Sequence, residues 1–160
     1  MSVSCSGVVG EVTQHRYSIE QVLPHAHPMI LLDEILDRDG EDLTAAVTIR
    51  SDSHFLQSDG VPSYIGIEYM AQAIAAYGGY EALEANRPVR IGFLLGTRKF
   101  EAKVPFFRIG DRLVVKVSAI YKEALSSFSC HISVDDTIVA EANLSVYQPT
   151  EPADQSLIEI

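Results

Sequence analysis

Apolar and polar residues alternate through the C-terminal half of this chain, whereas one stretch near its middle is apolar on almost every side. In 126–134 and 137–146 every second residue is apolar, the period of a strand with one face in a core and the other toward water. Val89 to Val104 and Leu113 to Tyr121 are rich in β-branched and aromatic residues, and Gly110-Asp111 and Asp135-Asp136 supply turns. Four strands are therefore expected, ending with Leu125 to Val134 and Thr137 to Tyr147. Earlier in the chain, Met29 to Leu36 and Leu43 to Ile49 read as a strand pair joined by the turn residues Asp37 to Gly40.

Between these groups, Pro62 to Tyr80 carries one charge, Glu68. Pro62 suits the first turn of a helix, which is expected to run to about Ala85 and stop before Pro88. Its length is that of a membrane span, but Ser63, Glu68, Gln72, four tyrosines and several glycines mark it as a helix buried inside protein. Ser18 and Gln21 have capping-box spacing, so a short helix starts there and ends at Leu23-Pro24. The expected class is α+β, with one long central helix wrapped by a curved antiparallel sheet. A single domain covers 1–148, and 149–160 reads as a loose tail. Whatever helix surface or sheet edge stays uncovered favours self-association.

Composition narrows the function classes. The chain has 160 residues, 47% apolar and 21% charged, enough for one core without covalent staples and unlike a disordered or collagen-like chain. Cys5 and Cys130 are far apart and in no C-x-x-C spacing, which fits a reducing compartment and excludes a structural zinc site. The N-terminus lacks a basic segment followed by an apolar run, so a cytoplasmic location is expected. A net charge of −10 gives no general support for nucleic-acid binding. Nine of the twelve basic residues nevertheless lie between Arg87 and Lys122 against two acidic ones, a net of +7. That segment is either a local anion-binding surface or the solvated faces of strands.

On the expected helix, Val61, Tyr64, Glu68, Gln72, Ala75 and Gly79 share one face, so Glu68 stands alone among small and apolar neighbours. A carboxyl group so placed is suited to act as a general acid, with Gln72 one turn on to orient it; the competing reading is a structural carboxylate paired with an arginine. His54, in the polar loop before the helix, has an imidazole able to accept a proton near neutral pH. Together these two groups suffice to remove water from a compound bearing a hydroxyl β to a carbonyl. Backbone N–H groups at a helix start near Ser63 can hold the developing enolate. This chemistry requires no metal and no cofactor. His25 and His27 have a spacing that puts two residues on one side of a strand, but no third metal ligand is recognisable.

Two motifs resemble those of the hot-dog-fold 3-hydroxyacyl-[acyl-carrier-protein] dehydratases. Leu23 to Asp33 is similar to the family's L-P-H-x-x-P-h-h-h-h-D, where h is apolar. His54-Phe55, Pro62 and Glu68 to Gln72 are similar to H-F-x7-P-x5-E-x-M-A-Q, with the same fourteen-residue interval between histidine and glutamate. The resemblance covers Leu23 to Asp111 and implies His54 as base, Glu68 as acid and the Ser63 N–H as partner of the thioester carbonyl. Gln72 and Tyr64 would border the substrate. It also implies a site shared between subunits of a homodimer or heterodimer, and an acyl-carrier-protein or acyl-CoA thioester as substrate, with no nucleic-acid or membrane partner. Basic residues such as Arg90, Arg98, Lys99 and Lys103 would then steer an acidic carrier protein. The family's G-H-F-P is here Ser53 to Leu56, and its P-G is Pro62-Ser63, closer to divergent dehydratases of secondary lipid or polyene pathways. Two other readings stand beside dehydration: a hot-dog acyl thioesterase, and a noncatalytic partner of an active relative.

Overall fold

The computed structural model describes residues 17–149. The chain runs through α1 (Ile19–Val22), β1 (Glu34–Asp39), β2 (Asp42–Thr48) and β3 (Val61–Pro62). A 3-10 turn (Ser63–Ile65) then leads into α2 (Gly66–Glu84). After it come β4 (Phe93–Ala102), β5 (Phe106–Phe107), β6 (Arg112–Tyr121), β7 (Leu125–Val134) and β8 (Thr137–Tyr147). Six strands form one antiparallel sheet in the order β1-β2-β6-β7-β8-β4, and β3 pairs with β5 in a second, two-stranded sheet.

Alternation along the strands builds the core. Leu113, Val115 and Val117 of β6, Phe128, Cys130 and Ile132 of β7, and Ala140, Ala142 and Leu144 of β8 are buried in rows. They pack on α2, where Tyr69, Met70, Ala73, Ala76, Tyr77 and Tyr80 are buried as well. Burial pushes the Cys130 thiol up to about 12, as expected for a structural cysteine. The opposite face of β6, β7 and β8 is mostly polar, with Lys116, Ser129, His131, Glu141 and Asn143 among its residues. No helix among the described residues is long and apolar enough to cross a membrane.

The short helix forms where its cap spacing placed it, with Gln21 Oε1 accepting the Ser18 N–H at 2.8 Å. It lies on α2 at Gly79, where a Cβ would stand 1.8 Å from the Val22 carbonyl oxygen. Only a glycine lets the two backbones approach this closely.

Four boundaries differ from the sequence expectation, the first being that β1 runs on through Asp37 to Asp39, which were expected as turn. Pro62 belongs to β3, not to the helix, because Val61 and Pro62 pair with Phe107 and Phe106 and the chain stays extended. A proline fits such a short pair, which needs few donors. Met29 to Asp33 is not strand; Leu31 N–H and Met29 O bond to the Gln72 side chain of α2, Asp33 N–H donates to Ala46 O of β2, and β1 begins at Glu34. Likewise β4 begins at Phe93 rather than Val89. The expected tail lies outside the described residues apart from Pro149, as does Cys5.

Replacing Gly79 with alanine should force α1 away from α2 and cost about 2 kcal/mol or more, read as a lower urea midpoint of unfolding. A second expectation concerns acid. His131 of β7 stands opposite Lys116 and Glu141, and burial, then Lys116, holds its pKa below the ordinary value against upward pulls from Glu141 and Asp42. Below about pH 6.5 the unfolded chain takes up a proton that the folded chain still refuses, so folding loses stability as pH falls. Melting temperatures from pH 7.5 to 5 should decline, and His131→Gln should remove part of that decline.

Candidate active site

A cavity of about 530 Å³ lies between α2 and the adjacent ends of β4, β7 and β8. Ala71, Ala75 and Gly78 of the helix face Leu94, Phe128 and Val146 of the sheet across it. Small helix residues leave the room, and the sheet supplies apolar walls. Glu68 lines this cavity, half-buried, one turn before Gln72.

Gln72 is fully buried and uses both ends of its carboxamide. Its Oε1 accepts the Leu31 N–H at 2.9 Å, and its Nε2 donates to Met29 O at 2.8 Å and to Glu68 Oε1 at 3.1 Å. One side chain therefore fixes the carboxylate's orientation and ties the segment before β1 onto the helix. The expected Glu68–Gln72 contact is present, and Gln72 lines the cavity as well.

The other expected residues lie elsewhere in the protomer. His54 is exposed in the turn-rich loop between β2 and β3 and does not line the cavity. Tyr64 does not fill the space between helix and sheet as Tyr69, Tyr77 and Tyr80 do; it is 60% exposed, because the 3-10 turn rotates it off the helix face. The Ser63 N–H, expected to stand open for a thioester carbonyl, donates to Pro105 O at 3.0 Å. The β3–β5 pairing imposes that bond, and the sequence around Ser63 carries no sign of it.

Sequence reasoning also missed part of the cavity wall. His25 lines it together with Glu68, and its Nδ1 is buried without a hydrogen-bond partner in this protomer. At the far end, roughly 20 Å along the helix from Glu68, the wall is charged. There Lys122 pairs with Glu81 at 2.9 Å and Glu41 at 3.5 Å. Hydrogen bonds with Tyr77 and then Glu81 raise the Lys122 pKa above the ordinary lysine value. Arg112 and Lys116 of the basic stretch also pair within the fold, with Glu34 and Asp42, whereas Arg98 and Lys99 sit on the exposed strand β4.

One long helix wrapped by an antiparallel sheet is the hot-dog fold, and the Glu68 carboxyl group lines the cavity between them. The ApeP-like family, described as ApeP dehydratase, matches residues 17–158. The 3-hydroxyacyl-[acyl-carrier-protein] dehydratase FabZ of Brucella ovis is 34% identical over 133 residues, 78% of this chain and 82% of its own. FabZ of Acinetobacter baumannii is 25% identical over 143 residues, 85% of this chain and 97% of its own. The dehydratase heterocomplex ApeI:P from Xenorhabdus doucetiae contains a chain 30% identical, with a TM-score of 0.84, covering 91% of this chain and 100% of that one. The E. coli PaaI protein, 13% identical with a TM-score of 0.57 over 71% of this chain and 80% of its own, shares the fold. The chain belongs to the ApeP-like dehydratase family and is a hydro-lyase.

Gln72→Met keeps the side-chain volume but leaves the Leu31 N–H and Met29 carbonyl without their partner. A loss of roughly 3 kcal/mol is expected from two stranded backbone groups, measured by urea unfolding; a loss below about 1 kcal/mol would mean that the strap is held by other contacts.

Proposed function

We propose that this chain dehydrates 3-hydroxyacyl thioesters to trans-2-enoyl thioesters, with His54 as base and Glu68 as acid. His54 takes the proton from the carbon α to the carbonyl, the electron pair forms the new double bond, and Glu68 protonates the departing hydroxyl as water. The observation that carries this reading is Glu68 in an apolar cavity wall, oriented by Gln72 at 3.1 Å. Because the Ser63 amide is engaged, the thioester carbonyl falls to the next amide of the opening turn, that of Tyr64.

The base comes from a second chain. The cavity reaches Ile91, Gly92 and Leu94 at the start of β4, which is an edge strand of the six-stranded sheet. Leu94 and Leu95 are exposed there. A second chain along this edge would close the cavity and present its own His54 to Glu68. The substrate is carried by an acyl carrier protein, as the names of the FabZ relatives suggest for them, with Arg98, Lys99 and Lys103 available to an acidic partner. An unpaired, buried Cys130 fits a reducing cytoplasm.

A second reading, one half of a heterodimer with a related chain, is favoured by the likeness to a chain of the ApeI:P heterocomplex. In that arrangement this chain is inert alone and raises the turnover of a co-expressed relative.

His54→Ala and Glu68→Gln chains should each be inactive on a 3-hydroxyacyl pantetheine thioester while keeping their melting temperatures. Mixed after co-expression, they should regain about a quarter of the wild-type rate, because half the dimers then hold one intact site of two. Enoyl absorbance is the readout. Wild-type turnover by His54→Ala would refute the assignment.

A further inference from the structure

We infer that Asp33, Arg50 and Ser53 form a positioning relay that sets the backbone on which His54 stands; the inference rests on the reading of His54 as the base. Asp33 ends the segment that Gln72 ties to α2. Its Oδ2 accepts the Thr48 N–H at 2.8 Å, and its Oδ1 accepts the Arg50 guanidinium at 3.2 Å. The same guanidinium donates to Thr48 O at 3.3 Å, so Arg50 is gripped at the point where β2 gives way to the loop.

From Arg50 the contact passes to Ser53 through two bonds. The Arg50 amide donates to Ser53 Oγ at 2.7 Å, and the Ser53 amide donates back to Arg50 O at 3.0 Å. A third bond, Leu56 N–H to Ser53 O at 3.4 Å, holds the far side. His54 lies between these anchors.

Phe55, the next residue, has φ of +67°, in the left-handed region that a bulky side chain occupies only when its surroundings impose it. Phe55 itself is 50% exposed and outside the core, so the anchors on either side hold it: the bonds around Ser53 before it and Leu56, packed against the core, after it. With the Ser53 hydroxyl gone, Phe55 relaxes toward negative φ and the imidazole before it swings.

The Ser53 hydroxyl supplies a side-chain oxygen that meets the Arg50 amide, which alanine at this position would not. The Asp33–Arg50 ion pair is 31% and 54% exposed on its two sides, where such pairs add little to stability. Its value is geometric: it fixes where the loop begins.

The test compares Ser53→Ala, Ser53→Thr and Asp33→Asn with wild type and with His54→Ala, in steady-state dehydration of one 3-hydroxyacyl pantetheine thioester. The unfolding midpoint is measured for each. Ser53→Ala and Asp33→Asn should lower kcat about tenfold through misplacement of the base, with KM and the shape of the pH profile unchanged. Ser53→Thr, which keeps an Oγ, should stay within about twofold of wild type by the same criterion. In histidine-labelled protein, Ser53→Ala should broaden the His54 ring resonance, a change that a purely structural serine would not cause. The relay is overturned if Ser53→Ala keeps the wild-type kcat, if Ser53→Thr is as impaired as Ser53→Ala, or if every loss in kcat is matched by a rise in KM and a fall in the unfolding midpoint. Wild-type turnover by His54→Ala would instead remove the base reading and leave the loop geometry without a catalytic role.

Discussion

The buried carboxamide of Gln72 is the contact on which the site depends. A fully buried polar side chain is tolerable only when its hydrogen-bonding groups are met, and here the helix acid and two backbone groups of a distant segment meet them. The first sequence motif and the helical part of the second are consequently one object in space. Leu23 to Asp33 is the strap, and the helix from Glu68 to Gln72 is what it is strapped to. Asp33, at the end of the strap, reaches the start of the loop that carries His54.

Much of this was legible in the residues because it is local. Alternation located β7 and β8 closely, β-branched and aromatic content located β6, the Ser18 and Gln21 spacing located α1, and helical periodicity brought Glu68 next to Gln72. What was hidden is set by distant partners. Pro62 reads as a helix opener until Phe106 and Phe107 draw it into a strand pair, and that pairing also occupies the Ser63 amide. Met29 to Asp33 has the composition of a strand, but its Leu31 N–H and Met29 carbonyl bond to a side chain rather than to a neighbouring strand. The placement of His54 is a different case: it is exposed in the loop between β2 and β3 and does not line the cavity beside Glu68, and no periodicity leads from one to the other.

The basic stretch divides in the same way. Read linearly, 87–122 is a block of positive charge; folded, Arg112, Lys116 and Lys122 turn toward carboxylates, while Arg98 and Lys99 sit on a strand at the margin of the sheet. Charge that is neutralised inside the fold cannot steer an anion. Of the remaining positive residues, Arg90 lines the cavity just before β4, whereas Arg98 and Lys99 lie farther along that strand and Lys103 just past its end.

The close approach of Val22 to Gly79 has a consequence for biosynthesis. The first described helix has its docking surface on a segment more than fifty residues later, and a ribosome releases the amino end first. The nascent N-terminal strap therefore waits, its apolar side chains uncovered, until α2 has emerged and coiled. β2 waits longer still, because its inner neighbour in the sheet is β6. Final assembly of the amino-terminal third is thus a late, nonlocal event, and the emerging polypeptide is most vulnerable to misassociation before that closure.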